Sequence, residues 1–347
     1  MSGPRKSDAH APPKVDDRAI YDLAMGIAGA QAVLVALDLG VFEFLEKGPA
    51  DLAAIAAQFG LPPRGASAML DACVAHQFIL RDGEHFRLSE ISATYLTPES
   101  PTYMGDFLKA ANIAQPDVNA FPSVRRSIVE NRTQVYDGEE LFESHAVAAE
   151  RARAFTMMMH GHSISSALTW PLNFDLSQSK QMIDIGGGSG AHAIGATLRW
   201  PALKATVFDM ESVVSVAEEM IGRYGVTDQV SVRAGDFWQE PIPGGDLHFY
   251  GDILHDWPDE KCRFLLEKSF AALEPGGRLM IHEILYDDDK SGPVVAASLS
   301  VIMLLWTEGR QRTAKEYKDL LSDCGFANVE VAPAFGYWSI VSAQKPK

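Results

Sequence analysis

The chain is poor in cysteine, with only Cys73, Cys262 and Cys324 among its 347 residues. These cysteines lack the paired spacing of a zinc site or of a small disulfide framework, so we expect neither. Unpaired cysteines are typical of a reducing compartment, which predicts a cytoplasmic location. The sequence also lacks an uninterrupted run of about 18 apolar residues, so we expect no membrane span and no membrane partner.

Positive charge is also scarce. Lys and Arg number 30 against 46 Asp and Glu, which gives a formal net charge of −16 at pH 7. Because so negative a surface repels a phosphate backbone, we do not expect nucleic acid as a partner. The apolar content of 47% is typical of a soluble globular protein. Residues 1–16 are polar and lack an apolar stretch, which predicts a disordered tail and not a signal peptide.

The N-terminal third has the apolar spacing of helices. We predict helices over residues 19–46, with a break near Gly40, and then over residues 51–59 and 63–76. Two short strand patterns around Asp82-Gly83 follow and indicate a hairpin. This order is that of a winged helix, which we place at residues 17–110.

A winged helix can bind DNA or serve as a packing or dimerisation module. The helix that would enter the DNA groove, residues 63–76, carries Arg64 and His76 but no cluster of basic side chains. Since phosphate contacts need clustered Lys and Arg, the composition favours the packing or dimerisation module.

From residue 181 onward, short β-rich runs alternate with helical stretches. The predicted strands cover residues 182–185, 205–208, 230–233, 246–250 and 279–282, and two closing strands follow near 329–333 and 338–343. This alternation predicts an α/β fold with a doubly wound parallel sheet over residues 173–347. Residues 111–172 are predicted to be connecting helices.

A glycine-rich segment, residues 182–191, follows the first strand of this pattern and precedes a helix. Its glycines, Gly186 and Gly188 among them, permit a tight turn and a close approach of the backbone to a ligand. The spacing alone fits either a dinucleotide or S-adenosylmethionine (SAM).

Acidic residues end the neighbouring strands. Asp209 and Asp236 suit the ribose hydroxyls and the adenine amine, which both cofactors contain. Asp184, just before the glycines, is more informative, because a carboxylate facing the ligand suits the cationic groups of SAM but not a pyrophosphate. We therefore favour SAM.

Five segments, taken in order, resemble the small-molecule O-methyltransferases typified by plant caffeic acid and animal acetylserotonin enzymes, with bacterial relatives in natural-product pathways. The segments are residues 182–191, 209–210, 235–238, 254–260 and 273–279. The resemblance implies a C-terminal Rossmann-like SAM-binding domain and an N-terminal winged helix that forms a homodimer. The predicted cofactor-binding residues are Ser163, Asp184, Gly186, Gly188, Asp209, Met210, Asp236 and Phe237.

The catalytic candidates follow the next two strands. His255 is the candidate general base, since an imidazole can take the proton of a hydroxyl as the methyl group arrives. The resemblance implies that Glu283 orients it. At a further position where the family has Glu, this sequence has Gln311, an amide that can hydrogen-bond to the imidazole but supplies no charge.

The resemblance also points to residues that line an acceptor pocket, which are Met159, His162, Asp256, Met303 and Trp306. Apolar, aromatic and methionine linings favour a flat, moderately hydrophobic acceptor such as a phenol or a polyketide-like compound. We expect no catalytic metal.

Three alternatives stay open at this point. The Gln311 change leaves room for methylation of carbon or nitrogen, for example on a 2-oxo acid or a heteroaromatic compound. The glycine loop leaves room for a NAD-dependent oxidoreductase, and the winged helix for a non-catalytic regulator.

Overall fold

The computed structural model describes residues 14–110, 112, 117–135 and 149–347. Most of the predicted tail at residues 1–16, and part of the predicted connection at residues 111–172, lie outside the described residues. The chain forms two compact units that adjoin in sequence at Gly105 and Asp106. The domain boundaries drawn from the sequence stay predictions.

The first unit is mainly helical. Its helices are α1 (Arg18–Leu39), α2 (Val41–Glu46), α3 (Leu52–Phe59), α4 (Pro63–Ala75) and α5 (Glu90–Tyr95), and its strands are β1 (Ala50–Asp51), β2 (Ile79–Asp82) and β3 (His85–Leu88). Gly40 ends α1 with a φ of +82°, a conformation that glycine adopts without strain. The three strands pair in the order β1-β3-β2, so the predicted hairpin has a third strand beside it.

Helix α1 presents an unusual number of apolar side chains to solvent. Ile20, Leu23 and Ile27 are 68%, 75% and 70% exposed. By length and composition alone, α1 could cross a membrane. Only 17% of its most apolar stretch is buried, so α1 is not a core helix of the single chain. The sequence criterion of an uninterrupted apolar run did not detect this helix, because charged and polar residues such as Asp22 and Gln31 interrupt it.

The second unit contains the larger sheet. Its helices are α6 (Gly105–Lys109, which begins at the last residue of the first unit), α7 (Phe121–Glu130), α8 (Ala149–Thr169), α9 (Ala191–Arg199), α10 (Glu211–Arg223), α11 (Asp259–Ala272), α12 (Val294–Trp306) and α13 (Ala314–Asp323). Its strands are β4 (Gln181–Ile185), β5 (Lys204–Asp209), β6 (Val230–Ala234), β7 (Gly245–Gly251), β8 (Leu273–Ile284), β9 (Ala327–Phe335) and β10 (Trp338–Gln344).

The seven strands pair in the order β6-β5-β4-β7-β8-β10-β9. The first five are parallel, whereas β10 runs antiparallel to both β8 and β9. The five predicted parallel strands are therefore confirmed, and the two closing strands form an antiparallel edge. From β4 the chain adds β5 and β6 on one side of the sheet and then β7 and β8 on the other, so the strand order reverses at β4. Open α/β sheets bind ligands at the carboxyl ends of the strands at such a point.

Apolar side chains cover both faces of the sheet. On β7, Leu247, Phe249 and Tyr250 are all fully buried, although neighbouring residues point to opposite faces. Helices on either side supply the partners, which explains why these strands are nearly continuous apolar runs. This rigid sheet positions the loops that carry the polar residues.

Candidate active site

A cavity of about 380 Å³ lies within the second unit at the carboxyl ends of the parallel strands. Most of the residues predicted for the site line it. These are Met159, His162, Ser163, Gly186, Gly188, Asp209, Met210, Asp236, Phe237, His255, Asp256, Met303 and Trp306. The remaining three predicted residues, Asp184, Glu283 and Gln311, lie behind the residues that line the cavity.

The glycine loop forms one side of the cavity. Gly186 and Gly188 have φ angles of +66° and +57°, a left-handed conformation that favours glycine. A Cβ at Gly186 would lie 2.5 Å from Cδ1 of Ile253, whereas one at Gly188 would meet no atom within 4 Å. At Gly188 the loop therefore presents bare backbone to open space, which is the surface that a bound cofactor needs, whereas Gly186 allows close packing against Ile253.

Asp184 is placed differently from the prediction. Its carboxylate is fully buried beneath the loop, where Oδ2 accepts a hydrogen bond from the backbone N of Ala193 at 3.1 Å. Burial raises its pKa to about 7. The expectation that Asp184 faces the cofactor's cationic groups is corrected. The side chain points to the first turn of α9, so it supports the loop from below.

Asp209 faces the cavity at the end of β5. Its Oδ2 accepts a hydrogen bond from Gly188 N at 2.8 Å, and its Oδ1 accepts one from Met210 N at 2.7 Å. These two bonds fix the carboxylate between the glycine loop and the start of α10. Burial raises its pKa to about 6, although both bonds act in the opposite direction.

Asp236 and Phe237 lie one strand further along. Asp236 Oδ1 accepts a hydrogen bond from Trp238 N at 2.8 Å, and the ring of Phe237 packs edge-on against that of Trp238 with centroids 5.1 Å apart. A carboxylate beside an aromatic ring suits the polar edge and the face of an adenine. The glycine loop, Asp209 and this pair together fit SAM.

His255 lies across the cavity, in a short 3-10 turn that follows β7. Its Nδ1 is 2.9 Å from Oε2 of Glu283, and its backbone N donates to Oε1 of the same carboxylate at 3.3 Å. Nε2 of Gln311 is also 2.9 Å from Nδ1. The structure thus brings the three predicted catalytic residues together from three separate segments.

A buried arginine holds the turn that carries His255. Arg312, 1% exposed, donates to the backbone carbonyl oxygens of Leu254 and Trp257, each at 2.8 Å. It also donates to Oδ1 of Asp259 through Nε and Nη2. Because Arg312 follows Gln311 directly, one stretch of backbone both clamps the turn and places the amide beside the imidazole.

Carboxylates dominate the electrostatics around His255. Burial by itself lowers the pKa of the imidazole, but Glu283 and Asp256 outweigh it and raise the value to about 10. Oδ1 of Asp256 lies 3.6 Å from Nε2. Burial raises the pKa of Asp256 to about 7. The arrangement therefore favours a protonated, positively charged ring.

Two titratable residues of the cavity wall, Asp252 and His192, were not among the predicted site residues. Asp252 lies between His162 and His255, and His192 lies behind the glycine loop, where Nδ1 accepts a hydrogen bond from Trp170 Nε1. The signal used for Asp209 and Asp236, an acid just after a strand, would have found Asp252. Potential ligand atoms of Asp252, His255 and Glu283 lie within 4.8 Å of one another, a spacing that a metal ion could bridge.

The acceptor side of the cavity is mostly apolar. Met159, Met303 and Trp306 line it, together with Phe107, whose ring centroid lies 4.6 Å from that of His162. Burial lowers the pKa of His162 to about 4, so this imidazole is neutral at pH 7.

Two family models match the chain. Residues 123–327 match the O-methyltransferase domain, and residues 21–98 match the O-methyltransferase dimerisation domain. Human acetylserotonin O-methyltransferase is 33% identical over 345 residues, which covers 94% of this chain and 97% of that protein. The 3-hydroxy-5-methyl-1-naphthoate 3-O-methyltransferase of Streptomyces sahachiroi is 34% identical over 312 residues, 89% of each chain.

A solved structure extends the similarity to three dimensions. The crystal structure of human N-acetylserotonin methyltransferase in complex with SAM superposes with a TM-score of 0.85 at 31% identity. The match covers 97% of this chain and 100% of that one.

Proposed function

We propose a function for this chain from the premise that it belongs to the O-methyltransferase family and depends on SAM, as its motifs predict. From this premise we propose that it methylates a hydroxyl of a small aromatic or polyketide-like acceptor, with His255 as general base. The observation that carries the proposal is the imidazole in the cavity wall, whose Nδ1 is 2.9 Å from Oε2 of Glu283. Because the chain belongs to this family, we no longer consider the alternative that it is a NAD-dependent oxidoreductase.

Bound SAM supplies a methyl group that its sulfonium makes electrophilic, so the protein acts chiefly on the acceptor. Since Nδ1 of His255 faces Glu283, Nε2 is the nitrogen that takes the acceptor proton as the new C–O bond forms. Glu283 orients the ring and stabilises the imidazolium. A phenol has a pKa of about 10, close to the value of about 10 for His255, so the proton passes between groups of similar basicity.

We assign the cofactor to the side of the cavity formed by β4, β5 and β6. The backbone of Gly186 and Gly188 approaches the cofactor, and Asp209 accepts hydrogen bonds from the ribose hydroxyls. Asp236 and Phe237 contact the adenine. Met210 and Ser163 line the same cavity and complete the proposed contacts. Asp184 contributes indirectly, by holding the loop.

The acceptor then lies against Met159, Met303 and Trp306, with His162 and Asp256 as polar contacts. A cavity of this lining suits a flat aromatic compound. The names of the relatives, an acetylserotonin enzyme and a hydroxynaphthoate enzyme, support an aromatic hydroxyl as the methylated group.

We further propose a cytoplasmic homodimer formed through the first unit. Support comes from the match of residues 21–98 to a dimerisation domain and from the exposed apolar side chains of α1. A subunit interface accounts for these side chains without a membrane. The net charge of −16 supports the expectation of no nucleic acid partner.

The site requires no metal in this proposal, because Glu283 already faces His255 and SAM is electrophilic without help. Turnover should therefore be unchanged by a chelator such as EDTA. Loss of turnover that added Mg²⁺ or Zn²⁺ restores would instead assign Asp252, His255 and Glu283 to a metal.

The deciding experiment is turnover of SAM with a panel of hydroxylated aromatic compounds, naphthols included, followed by mass and NMR analysis of the product. A methyl group on oxygen supports the proposal. A methyl group on carbon or nitrogen would contradict it and would favour the alternative that the Gln311 change suggested.

A further inference from the structure

Ser189 carries the one side chain in residues 186–190 of the glycine loop, whose other four residues are glycine. Gly188 and Gly190, on either side of it, have φ angles of +57° and +76°. Because glycine loses more conformational freedom on folding than any other residue, a stretch of this composition is costly to hold in one conformation. The contacts of Ser189 therefore bear directly on the shape of the loop.

The side chain of Ser189 contacts a buried histidine on α8. Nδ1 of His160 is 2.8 Å from Oγ of Ser189, and the two residues are 7% and 4% exposed. On the other side of the ring, Nε2 of His160 is 3.4 Å from the hydroxyl oxygen of Tyr224, the residue that follows α10. This imidazole therefore joins the glycine loop to α8 and to the end of α10.

Both contacts suit a neutral ring. A neutral imidazole has one N–H and one lone pair, and a hydroxyl can donate or accept, so the two hydrogen bonds can form at once. Burial and the positive charge of Arg223 lower the pKa of His160 to about 4, so the ring is neutral at pH 7. Since an apolar side chain would fill this space without burying two ring nitrogens, packing alone does not require an imidazole here.

His160 is placed behind the cavity. Met159 and Ser163 on the same helix line the cavity, and so does Ser189, whereas His160 is not among the lining residues. Any effect of His160 on a bound cofactor therefore passes through Ser189. The neighbouring residue of the loop, Gly188, is held separately, because its backbone N donates to Asp209.

We propose that His160 is a positioning residue for the cofactor, which holds the hydroxyl of Ser189 and so fixes the glycine loop in the conformation that binds SAM. This inference rests on the proposed placement of the cofactor at the loop. A loop that is already fixed loses less conformational entropy when the cofactor binds, and the difference appears as affinity. His160 thus raises the affinity for SAM without taking part in methyl transfer.

The alternative is that His160 only stabilises the packing of α8 through Tyr224. The two roles use different ring nitrogens, Nδ1 for Ser189 and Nε2 for Tyr224. Asn and Gln separate them, because the side-chain amide of Asn occupies the place of Nδ1 and that of Gln reaches the place of Nε2. H160N therefore keeps a hydrogen bond to Ser189, and H160Q keeps one to Tyr224.

The test measures the Kd for S-adenosylhomocysteine, the demethylated product of SAM, by calorimetry. Urea unfolding of each ligand-free variant shows that it is folded under the conditions of the titration. H160L removes both contacts and should raise the Kd about threefold to tenfold, the range of one net hydrogen bond. H160Q should raise it as much, whereas H160N should stay within about twofold of the wild type.

A double-mutant cycle checks that the effect passes through Ser189. S189A should raise the Kd about as much as H160L does. The double variant H160L/S189A should bind no more weakly than the weaker of the two single variants, because its second change removes a contact that is already lost. If the two increases multiply instead, the residues act independently and the inference is wrong.

Two further results would overturn the inference. They are an unchanged Kd in H160L, and an affinity that H160Q restores but H160N does not. Where both amides or neither restore affinity, the cycle with S189A decides between the two roles.

The variant D209A separates this failure from that of the proposed function. If D209A weakens S-adenosylhomocysteine binding and H160L does not, the cofactor lies where we place it and only the role of His160 is wrong. If D209A, S189A and H160L all leave the Kd unchanged, the cofactor does not bind at this loop and the proposed placement itself fails.

Discussion

Nε2 of Gln311 lies 2.9 Å from Nδ1 of His255, although 56 positions separate the two residues in the sequence. The same ring nitrogen lies 2.9 Å from a carboxylate oxygen of Glu283. If Nδ1 carries its proton toward Glu283, it cannot also accept from an amide N–H. The Gln311 amide must then turn its oxygen toward the ring, an orientation that a protonated, positively charged imidazole favours.

Replacing the base tests the central assignment. H255A should lower kcat for a phenolic acceptor by about 10²–10⁴, the usual contribution of general acid–base catalysis. Affinity for S-adenosylhomocysteine, measured by calorimetry, should change little, because His255 lies on the acceptor side. The matched control is H85A, at an exposed position of β3. A loss of kcat smaller than about tenfold would exclude His255 as the base.

The pH dependence of turnover follows from the raised pKa of His255. With a pKa of about 10, the ring is protonated at pH 7 and must lose its proton before it can act as a base. We expect kcat/KM to rise about tenfold per pH unit between pH 7 and 9 and to level off near pH 10. A profile that is flat across this range would show that the deprotonated imidazole is not required.

Gln311→Glu should move this profile. A carboxylate beside Nδ1 stabilises the imidazolium, so the apparent pKa of the rise should increase by about one unit. Turnover at pH 7 should fall while the plateau at high pH is retained. Q178E, at an exposed position, adds the same charge away from the site and should leave the profile unchanged. A shift toward lower pH in Q311E would mean that the added carboxylate repels Glu283 more than it attracts the ring.

Asp209 should determine cofactor affinity. D209A removes an acceptor of the ribose hydroxyls and frees Gly188 N and Met210 N, so the Kd for S-adenosylhomocysteine should rise about tenfold to a hundredfold. The wild-type affinity should also weaken as the pH falls below about 6, because the carboxylate then becomes protonated. D228A, at an exposed acid, is the matched control. Unchanged affinity in D209A would remove Asp209 from the cofactor site.

Helix α1 provides the test of assembly. The double variant L23E/I27E places two charges on side chains that are 75% and 70% exposed in the single chain. If these side chains lie in a subunit interface, burying the charges is costly and light scattering should detect monomers at micromolar concentration. A variant that remains dimeric would place the interface elsewhere in the first unit. A wild-type monomer would contradict the homodimer.

The sequence predicted the parallel strands of the sheet well, because buried strands and amphipathic helices have different periodicities. Strand bounds were the weaker part. The fifth parallel strand was predicted to begin at residue 279, whereas β8 begins at Leu273, since the intervening Pro and Gly pattern is typical of a turn. That stretch pairs with β7 through a shifted register, which only the neighbouring strand can impose.

The sequence pattern did not predict the direction in which a side chain at a strand end points. Asp184 and Asp209 both stand near strand ends, and from the sequence both were expected to face the cofactor. In the structure Asp209 faces the cavity, but Asp184 accepts a bond from Ala193 on the helix side of the loop. Which surface each carboxylate meets depends on how its strand end packs against the loop and helix beside it, and this packing cannot be read from spacing.

The sequence by itself determined the family and the cofactor and predicted His255 as the base, because these depend on short ordered motifs whose residues are neighbours in the chain. The tertiary structure alone decided what surrounds that base. Residues from after β7, the end of β8 and the segment before α13 meet at one imidazole, and their combined charge sets its pKa. Such a meeting depends on the packing of distant segments, and no single motif contains it.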